Sequence, residues 1–234
     1  MKLGELIQRV QSLYSKGVQS DNTRLSSRHI YSKLKSARAT IISQKAKQKQ
    51  KIGDWNYQTI SCVEMIDVDA HECPCVPKAN CVKIKRSKYP IPHIMSDYNG
   101  NLIDYIMTID SGDKFDFATR SEILHLSGNR YTATQRRYII DKGYIYIYGS
   151  NTPKVIQIRA LFDDPIEAEQ FISFCPDENF EKCSDIFDMD FPIDASTIDT
   201  VLQFAVQELI TFFGQRPQEN NTQEQQRAEQ QEQA

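Results

Sequence analysis

The run RRYIIDKGYIYIY, residues 136–148, decides how this chain is read. Two stretches rich in Ile and Tyr flank Asp141-Lys142-Gly143, the composition of a tight turn between antiparallel strands. Successive strand side chains point to opposite faces. Ile145 and Ile147 therefore share one face, and Tyr144, Tyr146 and Tyr148 share the other. A strand that is aliphatic on one side and aromatic on the other predicts cover on both. The neighbourhood repeats the signal. ISCVEMIDV (60–68), NLIDYIMTID (101–110), SEILHLS (121–127) and KVIQIRALF (154–162) are short and rich in β-branched and aromatic residues. Gly, Asn, Asp and Pro separate them, so residues 54–162 are expected to form a β-rich insert, an antiparallel sandwich or small barrel.

On either side the apolar period becomes helical. Leu3, Leu6, Ile7, Val10, Leu13 and Tyr14 recur at three- and four-residue steps, with Gly17 as a stop. Ser20 or Asp21 is expected to cap a second helix running to about Lys47, with Ile30, Leu34, Ala37 and Ile41 as its apolar stripe. Gly53 and Asp54 close this N-terminal helical hairpin, residues 1–53. After the insert, Asp163-Asp164-Pro165 opens a short helix, and FPIDAST (191–197) caps a strongly amphipathic one. In the latter, Ile198, Val201, Leu202, Ala205, Leu209, Phe212 and Phe213 keep helical spacing up to Gly214.

The expected fold class is therefore α+β. A helical core, made of the hairpin and a C-terminal part (163–214) packing on it, carries the central β insert. With 234 residues and 40% hydrophobic content, the chain can bury a sizeable core. Residues 215–234 hold no large apolar side chain, and this Gln-rich arm is expected to order only against a partner.

Charge is unevenly spread behind a formal net of −3. Residues 22–53 contain nine basic residues and no acid, whereas residues 163–194 hold eleven acids and only Lys182. Arg24, Arg28, Lys35 and Arg38 fall on one helical stripe, continued by Lys45 and Lys47. Such residues can touch nucleic-acid phosphates without reading sequence, or meet the acids Asp163, Asp164, Glu167 and Glu169 of a neighbouring copy. Neither aromatic interleaving nor a recognition-helix motif accompanies them.

The densest chemical cluster is HECPCVPKANC, residues 71–81. With Cys62, it offers His71, Cys73, Cys75 and Cys81 as metal ligands. Structural zinc usually takes two pairs of ligands on C-x2–4-C knuckles, and Cys73 and Cys75 flank a single proline. Pro74 and Pro77 instead suggest a rigid turn with inward-packed thiols. No cofactor is expected. No nucleophile elbow, Walker loop or other Gly-rich phosphate loop is present, so catalysis is not expected either. No continuous apolar run suggests a signal peptide or membrane span, and the six cysteines read as thiols in a reducing cytosol. Two other readings stand beside a structural role. One is a non-specific nucleic-acid-binding protein working through the basic helix, the other a zinc-stabilised interaction domain.

Four segments together carry a resemblance. They are LIQRVQSLYSKGVQSDNTRLSSRHIYSKLKSARATIISQ (6–44), ECPCVPKANCVKIKRSKYPIP (72–92), IRALFDDPIEAEQF (158–171) and FPIDASTIDTVLQFAVQELI (191–210). In order and wording, the chain resembles the ring proteins of the head-to-tail connector of crAss-like phages. The resemblance implies a virion structural protein beneath the portal. It would form a closed ring, usually of twelve copies, around the channel that carries genomic double-stranded DNA. Implied partners are further copies, the portal protein and other ring or tail proteins, with assembly in the host bacterial cytoplasm and no membrane involved. It also implies a C-terminal arm reaching onto the portal, with Gln215, Arg216, Gln223 and Arg227 as contact candidates.

Overall fold

A computed structural model describes residues 1–15, 25–68, 84–97, 100–122, 135–149, 152–172 and 185–213. Two bodies share the chain, a helical layer and a closed barrel of seven strands in the order β1-β2-β8-β7-β6-β5-β9. The barrel strands are β1 (Gln58–Asp67), β2 (Ile84–Ser87), β5 (Ile103–Thr108), β6 (Lys114–Phe117), β7 (Arg137–Asp141), β8 (Tyr144–Tyr148) and β9 (Val155–Ala160). A two-stranded ribbon, β3 (Ser96–Asp97) with β4 (Gly100–Asn101), forms a separate sheet.

The hairpin at 136–148 forms as its sequence dictates. Arg137 pairs with Tyr148 and Asp141 with Tyr144, leaving Lys142 and Gly143 as a two-residue turn. Both carry positive φ, 50° and 80°, the backbone that matches the twist of a tight hairpin. Ile145 and Ile147 point into the barrel and are fully buried, while the three tyrosines lie half-buried outside. Ile60, Val63, Ile106, Phe115, Ile156 and Ile158 fill the same interior. The barrel is thus a packed plug, as a barrel this narrow must be.

Every pairing around the barrel is antiparallel except β6 with β7, which run parallel. The strand expected at 121–127 is corrected in its described part. Ser121 and Glu122 are helical, and Thr119 and Glu122 cap one another's backbone N–H. Residues 123–127, with His125, lie outside the described residues.

The helical layer comprises α1 (Leu3–Tyr14), α2 (Ser27–Lys47) and α4 (Ile198–Phe213). α4 packs on both α1 and α2 more extensively than those two pack on each other. Leu6, Val10, Ile30, Leu34, Ala205 and Leu209 make the centre of that core. Leu13, expected on the buried face of α1, is instead exposed. α2 begins later than its sequence suggested. Ser26, not Ser20 or Asp21, is the cap, its hydroxyl accepting from the His29 N–H at 3.3 Å. Ser20, Asp21 and Gly17 lie outside the described residues.

α3 (Pro165–Ile172) straddles the two bodies. Its Ile166 packs against the helical core, while Ala168 and Phe171 join the barrel core. α2 also has a second buried face, where Ile42 meets Met95 and Leu161 beside the barrel.

Candidate interaction surfaces

The structure divides the basic stripe of α2 by function. Arg28 and Lys47 are exposed and Lys45 is half-buried, while Arg24 lies outside the described residues. Arg38 is a correction to its reading as a surface contact, being only 1% exposed. Its Nε donates to the Pro192 carbonyl at 2.8 Å, Nη1 to Phe162 at 2.9 Å and Nη2 to Asn56 at 2.9 Å. One guanidinium therefore ties α2 to the end of β9, to the segment entering the barrel and to the segment entering α4. Burial draws its pKa down to about 10, against the attraction of Tyr31, Asp163 and Asp164, so it remains charged at neutral pH.

Lys35 and two of the acidic candidates meet within one chain. Lys35 Nζ lies 3.1 Å from Asp164 and 3.6 Å from Asp163. Within the single chain, these three residues thus already pair with one another. Asp164 is doubly engaged. Its Oδ1 accepts from Tyr31 Oη at 2.6 Å and, as the cap of α3, from the Ile166 N–H at 3.0 Å. Burial works against the Asp164 charge, but the hydrogen bonds from Tyr31 and Lys35 and the Lys35 ammonium hold its pKa below the usual carboxylate range. Burial, reinforced by Asp164, raises the Tyr31 hydroxyl well above its ordinary value. Glu167 and Glu169 remain exposed on α3.

A further surface was hidden in the best core helix. Phe212 and Phe213 keep the spacing of the α4 core stripe, yet Phe212 is 74% exposed and Phe213 is 39% exposed, a correction to their expected burial. Among the described residues, the first turn of α2 is what lies beside this end of α4. His29 in that turn reaches only the edge of Phe213, at 5.8 Å between ring centroids. One turn further, Lys33 Nζ sits 5.2 Å over the Phe212 ring and 3.2 Å from Glu208. Together with Phe204, Gln207 and Thr211, these side chains line an open groove of about 410 Å³. Elsewhere in the layer, Ile186 and Phe187 project from a 3-10 turn, Ile186–Asp188, that packs on α1.

Of the thiol cluster, Cys62 is half-buried on β1, while His71, Cys73, Cys75 and Cys81 lie outside the described residues, as do Cys175 and Cys183. The arm candidates Gln215, Arg216, Gln223 and Arg227 do too. Among the described residues, no group of three or more His, Cys, Asp or Glu could hold a metal ion, and no helix is long and apolar enough to cross a membrane.

Compared with known families, residues 5–231 match one described as phage tail ring protein 2, which bears out the resemblance to crAss-like phage ring proteins. No curated protein matches the chain.

Proposed function

We propose, because the chain belongs to the phage tail ring protein 2 family, that copies of it close into a ring that joins the portal to the tail around the DNA channel. The role is structural, with surfaces rather than reactive groups doing the work. One observation carries the self-association: a large aromatic cluster on α4, Phe204, Phe212 and Phe213, lies uncovered in the single chain. Contiguous exposed apolar surface of this kind marks a protein contact.

The packed barrel bears on where DNA runs. Its interior is filled by isoleucines and Phe115, which favours a duplex passage between copies rather than through the barrel. Exposed cations such as Arg28 and Lys47 would meet phosphates along that passage without base readout, which lets DNA slide. Twelve copies is the ring size the resemblance suggests. The Gln-rich arm, with Gln215, Arg216, Gln223 and Arg227, is the portion we assign to the portal, and assembly would take place in the host cytoplasm.

The test is the mass of the purified full chain by sedimentation, alone and mixed with portal protein. A discrete ring-sized species is expected. A chain that stays monomeric under both conditions would overturn the proposal. Removing residues 215–234 should weaken portal attachment and leave the unfolding midpoint unchanged.

A further inference from the structure

We infer that the turn bearing Ile186 and Phe187 in one copy seats in the Phe204–Phe212 groove of the next. The inference rests on the ring reading above and names the two surfaces that would meet.

The turn is built as a rigid knob. Asp185 caps it by accepting from the Phe187 N–H at 3.2 Å. Lys2 Nζ holds Asp188 at 3.1 Å, and the Leu3 N–H donates to the Met189 carbonyl at 2.9 Å, pinning the turn to α1. Gly4 makes the close approach possible, because a Cβ there would lie 3.2 Å from the Phe187 carbonyl oxygen. A turn so constrained holds its apolar side chains out, 43% exposed at Ile186 and 45% at Phe187. Little conformational entropy is left to lose on docking.

The groove is the converse shape. Its apolar walls are Phe204 and Phe212, and about 410 Å³ is ample for the ends of two large side chains. On the α2 side its rim carries Lys33. Glu208 is the acid that faces Lys33 there. Of the acids beside the knob, Asp188 pairs with Lys2 and Asp190 with the N-terminal ammonium, which leaves Asp185 to face Lys33 when one surface is brought to the other.

The two surfaces belong to different parts of one molecule, the knob on α1 and the groove on the α2–α4 seam. Their pairing is therefore heterologous. It propagates head to tail and closes into a ring if the rotation per step allows.

Cross-linking decides the matter. Full-length Phe187→Cys and Thr211→Cys chains are oxidised separately, mixed, and combined in one double variant, with the wild type under the same oxidant as baseline. The mixture should give cross-linked pairs, the double variant a ladder, and neither single variant anything above baseline. In parallel, Phe187→Asp and Phe212→Asp should each weaken association at least tenfold by sedimentation. Both sites are exposed, so the urea midpoint should not move. If the wild type associates but both Asp variants associate equally well, or if Phe187→Cys cross-links to itself, the knob-and-groove pairing is wrong while the ring stands. A wild type that never associates overturns the ring reading itself.

Discussion

Arg38 Nη1 donates to the Phe162 carbonyl at 2.9 Å, and Phe162 is a fully buried member of the barrel core. A helix that the sequence presents as a charged surface is thus fastened through its charge to the β body.

Removing that fastening should cost far more than a surface charge does. Arg38→Ala leaves three buried carbonyls without their donor and opens a cavity, together about 3 kcal/mol or more. Arg38→Lys should recover only a minor part, because one ammonium cannot span the fork that reaches residues 56, 162 and 192. Urea midpoints of the three proteins test the order. A midpoint for Arg38→Ala within error of wild type would show that the guanidinium is dispensable.

The burial of Arg38 has no signature of its own in the sequence. Its acceptors are backbone carbonyls from three separate segments, and no pattern in side chains announces a carbonyl. The hint was Ile42, one turn on, which belongs to a second buried face that a single apolar stripe could not account for. The barrel was far more legible, since the alternation at 144–148 fixes which residues point inward. Its shorter strands were not: IKRS in β2 and KFDF in β6 are too short and polar to show a period. The parallel β6–β7 pairing depends on chain path rather than composition. On α4 the pattern reported helical period correctly but said nothing of how far the partner helix extends. Phe212 and Phe213 keep that period and still lie outside the core.

The Tyr31–Asp164–Lys35 cluster should be visible in the pH dependence of stability. Asp164 has a folded pKa below the ordinary 3.8. A carboxylate of this kind adds stability that is complete above its ordinary pKa and is lost as pH falls through the lowered, folded value. Lys35 acts at the other end, since its raised pKa adds stability below 10.5 that is lost as pH rises through the folded value. Asp164→Asn should flatten the acid limb of the curve while keeping the cap on α3. Urea midpoints from pH 2 to pH 7 provide the comparison, and parallel curves for the two proteins would contradict the assignment.

Packing inside the barrel predicts a sharp contrast between two isoleucines. Ile147 is wholly buried, and Ile147→Ala should destabilise by about 3 kcal/mol through lost transfer energy and a residual cavity. Ile109, just past β5, is exposed, and Ile109→Ala should change stability by less than about 0.5 kcal/mol. Equal losses at both sites would mean that the barrel interior is not the packed plug described.

The hairpin turn allows a prediction with opposite signs at adjacent residues. Lys142 holds φ of 50° and Gly143 holds φ of 80°, both in the left-handed region. A lysine there bears steric strain that asparagine bears less, and Asn-Gly is the pair such two-residue turns favour. Lys142→Asn should therefore stabilise by about 0.5 kcal/mol, a rise of about 1–2 °C in Tm for a protein of this size. Gly143→Ala places a Cβ where the backbone disfavours it and should lower stability by about 1 kcal/mol. Both residues face solvent or lie at the surface, so core packing does not mask either effect. Thermal unfolding of the two variants reads the signs directly. A gain at position 143 or a clear loss at position 142 would mean that the chain does not turn here with two left-handed residues, and the register from Asp141 to Tyr144 would have to be redrawn.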